Sequence, residues 1–224
     1  MNCLWCDNEI IPVINWSNLF LLPEPEKLCE PCQGKLIVLD GQRCKKCSRH
    51  SNQSVCDDCR WWDKHKDPLI LNYSIFQYND LMQEMIARWK YRGDYCFAEA
   101  FHKQFRKGFQ QKFSFLSKNA VAVPIPLSPE RLMERGFNQA DLLARFLPLE
   151  TKEALSRVHG EKQSKKTRHE RISAVNPFRI LKPVDNPVVL IDDIYTTGTT
   201  IRHAASILKE GGCTEIYALT LVRG

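Results

Sequence analysis

VVLIDDIYTTGTT, residues 188–200, sets four apolar residues ahead of two adjacent acids and closes on threonines around a single glycine. An unbroken apolar run of this length reads as a strand, Val188 to Ile191, buried on both faces of a sheet. The stretch after it, TTIRHAASILKEGG, reads as a helix. Ile201, Ala204, Ala205 and Leu208 form its buried stripe, and Gly211 lies at its C-terminal end. EIYALTLV then returns as a strand, and NAVAVPIP upstream is another short one, ending in prolines. Strand and helix alternate, so the expected fold is α/β, an open parallel sheet with helices on both faces.

In such a sheet, ligands bind beyond the carboxyl ends of the strands. Asp192 and Asp193 stand at the strand tip. Thr196, Thr197, Gly198, Thr199 and Thr200 form the loop to the helix N-terminus. That loop offers backbone N–H groups, hydroxyl donors, a residue without Cβ, and the positive end of a helix dipole. Together they make a monophosphate cradle. The two carboxylates would repel a phosphate. They can accept hydrogen bonds from a vicinal diol, directly or through a hydrated Mg2+. Phosphate plus diol at this spacing describes a ribose 5-phosphate.

Other segments read as follows. LILNYSIFQY (69–78) is a strand. DLMQEMIARWKYRGD is an amphipathic helix with Leu81, Met85, Ile86 and Trp89 on its apolar face and Gly93 as its stop. AEAFHKQFRKGF continues as helix, with Phe101, Phe105 and Phe109 read as core rather than a base-stacking surface. SPERLMERGFNQADLLARFL is a turn and a helix. Residues 150–178, polar and basic, read as a long loop.

Eight of the ten cysteines fall in the first 59 residues as four C-x-x-C pairs: Cys3/Cys6, Cys29/Cys32, Cys44/Cys47 and Cys56/Cys59. Each pair has the spacing of a zinc knuckle, and two knuckles complete a tetrahedral site of four thiolates. Two structural Zn2+ ions follow. Sequential pairing (Cys3, Cys6, Cys29, Cys32; Cys44, Cys47, Cys56, Cys59) is the simpler, and an interleaved pairing stays open. Closed all-cysteine sites leave no position for water, so no catalysis is assigned there. Cys96 and Cys213 are expected to be small buried hydrophobes. The boundary falls near RWWDKHKDPL, giving residues 1–66 as a cysteine-rich zinc-binding module and 67–224 as the larger domain. Trp61–Trp62 and Gly93–Asp94 read either as the interface between the two or as plain turn and packing residues.

The chain has 224 residues, 43% hydrophobic and 26% charged, an ordinary globular composition. It holds no apolar run of membrane-spanning length and no basic n-region before an apolar stretch, so membrane insertion and a signal peptide are not expected and the cytoplasm is. Residues 1–67 carry nine Lys/Arg and ten Asp/Glu, and two metallated tetrads take that segment to about −5. The remainder holds 23 basic and 16 acidic residues, a polarity suited to phosphates or nucleic acid.

VVLIDDIYTTGTT resembles the phosphoribosyl-pyrophosphate signature of type I phosphoribosyltransferases. Around it the chain resembles the ComF family: a cysteine-knuckle N-terminus, RWKYRGD (88–94), then VPIPLSPERLMERGFNQA (123–140), then the signature. The resemblance implies a type I phosphoribosyltransferase sheet with a small N-terminal double zinc-ribbon-like module. Asp192 and Asp193 would bind the ribose hydroxyls and Thr196 to Thr200 the 5-phosphate. Residues 123–140 would supply the pyrophosphate loop, with Arg131 and Arg135 as anion ligands or else solvated helix arginines. The 150–178 region would be a basic lid. From Lys152 to Arg171 it holds seven Lys/Arg against three Asp/Glu, with Lys165, Lys166, Arg168 and Arg171 as candidates, and His159 and His169 besides. Arg171 and Asn176 match the family's pattern at the lid's far side.

The implied reaction is displacement at the anomeric carbon, with Mg2+ and basic residues neutralising the departing pyrophosphate. Purine-salvage members carry a third acid four residues after the first. This chain has Thr196 there, which weighs against purine salvage and leaves an already anionic acceptor open. Two readings follow. One is a phosphoribosyltransferase acting in DNA uptake for natural transformation. The other is a non-catalytic nucleotide- or single-stranded-DNA-binding competence factor partnering a helicase, with Arg43, Lys45, Lys46 and Arg49 available to DNA. A purely structural zinc adaptor would leave the signature without a purpose.

Overall fold

The computed structural model of the chain describes residues 1–11, 16, 25–91, 93–158 and 175–224. The strands are β1 Leu71–Gln77, β2 Val121–Pro124, β3 Glu150–Thr151, β4 Leu155–Arg157, β5 Phe178–Ile180, β6 Val188–Tyr195 and β7 Ile216–Arg223. Five of them form a parallel sheet in the order β1-β7-β6-β2-β3, and β4 and β5 pair antiparallel apart from it. The helices are α1 Glu30–Gln33, α2 Asp57–Lys64, α3 Asp80–Tyr91, α4 His102–Phe113, α5 Pro129–Arg135, α6 Gln139–Ala144 and α7 Thr199–Glu210, with a 3-10 helix at Tyr95–Phe101.

The strand period of two divides the interior into two layers. Val189, Ile191, Leu219 and Leu221 pack on one face with α3, α4 and α6. Val188, Leu190 and Ala218 pack on the other with Ile201, Ala204, Ala205 and Leu208 of α7. Phe101, Phe105 and Phe109 are buried in the first layer, as expected of core aromatics, and truncating one such ring costs about 3–5 kcal/mol. Gly108 lets α4 close on β1: a Cβ there would lie 2.1 Å from Ile75 Cδ1.

The cysteine-rich segment straddles this sheet. Cys3, Cys29 and Cys32 join the first layer, and Cys44, Cys47, Cys56 and Cys59 join the second. Between them the chain runs along the outer edge of β1, with Leu39 N–H bonded to Ile75 O at 2.8 Å and Gln77 N–H to Ile37 O at 2.9 Å. An edge strand is thereby covered.

The structure corrects several details. Met82, rather than Leu81, is fully buried on α3 with Met85, Ile86 and Trp89. The stretch 128–147 is two short helices, broken where Gly136 takes φ 77° and where Asn138 caps α6 through Ala140 N–H. Residues 150–178 are not a loop throughout, since β3, β4 and β5 fall at its ends. Cys213 is buried, but Cys96 is exposed, because the 3-10 helix turns Phe97, Ala98 and Phe101 inward instead.

Candidate functional site

The sheet order places a crevice between β6 and β2. From β6 the chain crosses to β7 on one side, and from β2 it crosses to β3 on the other, so this is the topological switch point. Strand β2 ends at Pro124, opposite Ile191, and Ile125 N–H to Ile191 O (2.9 Å) is the last bond between them. Strand β6 continues beyond that point, paired only with β7 through Asp192, Ile194 and Tyr195. Both acids thus lie inside the strand rather than at its tip, and the early end of β2 exposes them to the crevice.

A cavity of about 300 Å³ fills the crevice. Asp192, Asp193, Thr196 and Thr200 line one side, and Ile125, Leu127, Arg131, Arg135, Asn138 and Gln139 the other. Lys90 of α3 and Arg157 of β4 also line it. Arg131 and Arg135, both half-buried, thus line the same cavity as the acids. Of the threonine loop, Thr196 and Thr200 reach the cavity. Thr199 is buried, and its hydroxyl lies 2.9 Å from that of Thr197. Gly198 takes φ 78° directly ahead of α7, where a Cβ would fall 2.1 Å from Arg202 Nη1 and from Tyr195 Oη. Only glycine fits there.

Lys165, Lys166, Arg168 and Arg171, with His159 and His169, lie outside the described residues. Their stem is described: Arg157 pairs with Phe178, and Val158 N–H bonds Pro177 O at 2.9 Å. Asn176 fixes this stem to α7, donating to His203 O at 2.8 Å and to Ser206 Oγ at 3.1 Å.

Lys90, Arg157 and Gln139 were not singled out from sequence. Lys90 follows Trp89 and stands one turn beyond Ile86, at the margin of the apolar face of α3, which is the available signal for an inward-pointing cation. It forms an ion pair with Asp193. Arg157 is set over the Phe178 ring at 5.4 Å. Arg135 donates to Gln139 Oε1 at 3.0 Å.

The two acids titrate apart. Burial, and then the charge of Asp193, pushes Asp192 well above the usual carboxylate range. Burial would raise Asp193 too, but the charge and hydrogen bond of Lys90 outweigh it and hold its carboxyl below that range. Arg157 is lowered by burial and by the charges of Arg131 and Arg135, with Asp192 opposing them.

The cysteines assemble sequentially. Cys3, Cys6, Cys29 and Cys32 form one group and Cys44, Cys47, Cys56 and Cys59 the other, with the sulfurs of each within 4.8 Å of one another. Both groups share a plan. The first knuckle is a tight turn (Cys3 N–H to Asn8 O, 2.8 Å; Cys44 N–H to Arg49 O, 2.7 Å), and the second opens a helix, with Cys29 and Cys56 as N-caps. Four converging thiolates at this spacing suit a tetrahedral Zn2+.

Of the residues read as either interface or packing, Trp62 makes a contact between the cysteine segment and the larger domain, while Asp94 pairs within the larger domain. Trp62 stacks under Arg202 of α7 at 4.7 Å. Asp94 pairs at 3.2 Å with Arg88, which donates to Trp5 O at 3.0 Å. No helix among the described residues is long and apolar enough to cross a membrane.

Comparison with known proteins agrees with this architecture. The family described as phosphoribosyl transferase domain matches residues 132–224. Competence protein ComFC of Bacillus subtilis (strain 168) is 40% identical over 228 residues, spanning 99% of this chain and 94% of that one. The chain belongs to the ComFC family. A second ComFC, from Streptococcus pneumoniae, is 32% identical over the full length of both proteins. The DNA utilization protein YhgH of Escherichia coli (strain K12) is 32% identical over 45% of this chain and 48% of its own length. A solved hypoxanthine phosphoribosyltransferase from Staphylococcus aureus aligns at 19% identity over 56% of this chain and 64% of its own, with a TM-score of 0.32. The fold of this ComFC-family chain rests on its sheet order and on the family match, not on that superposition.

Proposed function

We propose that the crevice binds phosphoribosyl pyrophosphate with Mg2+, and that the chain is a phosphoribosyltransferase acting in DNA uptake during natural transformation. One observation carries the reading: a single cavity joins two carboxylates, the N-terminus of a 12-residue helix and four basic side chains. Asp192 and Asp193 would accept hydrogen bonds from the ribose hydroxyls, directly or through hydrated Mg2+. The Thr196–Thr200 backbone and the dipole of α7 would hold the 5-phosphate. Lys90, Arg131, Arg135 and Arg157 would neutralise the departing pyrophosphate. Lys165, Lys166, Arg168 and Arg171 would add to them from the lid. The process comes from the named ComFC relatives.

The DNA-binding reading draws less support. Of its basic cluster, Lys46 pairs with Asp63, Arg49 with Asp58 at 2.7 Å, and Arg43 stacks on Tyr73 at 4.6 Å. Calorimetric titration of phosphoribosyl pyrophosphate with Mg2+ tests the proposal on the wild type and on Asp192→Asn/Asp193→Asn. Binding that disappears in the variant is expected. A folded, zinc-loaded wild type that binds nothing would overturn the proposal.

A further inference from the structure

The second cysteine group does not lie apart from the crevice. Arg202, in the first turn of α7, is 3% exposed, an unusual burial for a cation. Its Nε donates to Asp67 Oδ2 at 2.9 Å, and the Asp67 carboxylate is itself fully buried. Nη1 donates to the Tyr195 hydroxyl, and Nη2 lies 3.9 Å from Cys59 Sγ. The guanidinium plane covers the Trp62 ring. Each edge of the group thus has a partner: Asp67 just after the cysteine segment, Cys59 and Trp62 within it, and Tyr195, which immediately precedes the threonine loop.

The loop rests on this group. Arg202 N–H bonds Gly198 O at 3.0 Å, and the absent Gly198 Cβ is the space that Arg202 Nη1 and Tyr195 Oη occupy. A second strut runs parallel: Arg223 donates from Nε to Cys47 O and from Nη1 to Tyr195 O, both at 3.1 Å, and covers the Tyr195 ring at 5.1 Å. Four thiolates around one divalent ion carry a net double negative charge, and two buried guanidiniums answer it.

We infer that the second tetrad, through Arg202 as a positioning residue, sets the shape of the phosphate loop; this rests on the proposed reading of that loop. A metal site outside the lining of the crevice would then govern affinity for the 5-phosphate end of the ligand and leave the pyrophosphate end untouched. The two ends can be probed separately with ribose 5-phosphate and inorganic pyrophosphate.

The test uses full-length Arg202→Met and Arg202→Lys, with bound zinc quantified and both probes titrated calorimetrically with Mg2+. In Arg202→Met holding both zinc ions, ribose 5-phosphate is expected to bind at least about tenfold more weakly while pyrophosphate binds as in the wild type. Arg202→Lys, which keeps the charge but not the planar fork, should fall between. Equal losses for both probes, or none for ribose 5-phosphate, would overturn the inference. Should Arg202→Met not fold, hydrogen exchange of the wild type during stepwise chelation decides. Loss of protection at residues 196–200 in step with release of the second metal supports the inference, and protection that outlasts that metal overturns it. Failure of the wild type to bind either probe would instead remove the phosphoribosyl-pyrophosphate reading, and the exchange measurement would still decide the coupling.

Discussion

Lys90 and Asp193 form an ion pair across the gap between α3 and β6, and it separates the titration of the two adjacent acids. In the wild type, the lowered Asp193 contributes stability above the usual carboxylate range, lost as pH falls through its depressed value. Lys90→Met leaves that carboxylate buried beside Asp192 with only the weaker influence of Arg135 to offset its charge. Its affinity for protons must then rise, so stability falls as pH increases. The variant should lose about 2 kcal/mol near pH 8 and distinctly less near pH 5. Denaturant titrations at the two pH values check this, and a loss independent of pH would contradict it.

Asp192→Asn should stabilise the ligand-free protein. A carboxyl raised in the folded state favours folding below its unfolded value, and that contribution disappears as pH rises through the folded one. Above it, the wild type holds a strained charge that asparagine removes. Thermal melting near pH 8 should rise by about 2 °C or more, while the phosphoribosyl-pyrophosphate binding proposed for the crevice is lost. Near pH 4 the two proteins should melt alike.

Sequential cysteine grouping makes an arithmetic prediction. Cys3→Ser with Cys32→Ser touches one group only and should reduce bound zinc from two equivalents to one. Cys3→Ser with Cys44→Ser touches both and should leave none. An interleaved arrangement would give the reverse, so colorimetric zinc release separates them.

Asn176→Ala should destabilise by about 1–2 kcal/mol. The amide donates twice to α7 and accepts Phe178 N–H at 3.0 Å, so its removal leaves a strand donor unpaired. Chemical denaturation measures the loss.

The β6–loop–α7–β7 unit was legible in sequence because each part carries its own signal. A strand buried on both faces is continuously apolar, a phosphate loop needs glycine and hydroxyls, and the helix shows its stripe at Ile201, Ala204, Ala205 and Leu208. The cysteine groups were legible for a similar reason, since C-x-x-C spacing encodes a local turn. Arg202 was passed over although it stands between two stripe residues, because an arginine in a helix reads as solvated until its partners are known. Asp67, Cys59 and Tyr195 belong to three different segments. Lys90 and Arg157 were missed in the same way: what makes them part of the site is an approach between distant segments, which no local spacing records. Cys96 shows the converse failure, because residue type predicts average burial but not the side of a 3-10 turn.

Strand β1 has one neighbour in the sheet, and that neighbour is β7. The hydroxyls of Ser74 and Thr220, 146 positions apart, meet at 2.7 Å between them. On a ribosome, β1 and β6 both emerge before the strand that separates them. Until it arrives, each presents an unpaired strand edge, the kind of surface on which nascent chains aggregate. So non-local a sheet also folds slowly. Arg223, one of the two struts under the Thr196–Thr200 loop, arrives with that same strand. Chains interrupted before β7 should therefore accumulate as insoluble material rather than as a partly working protein.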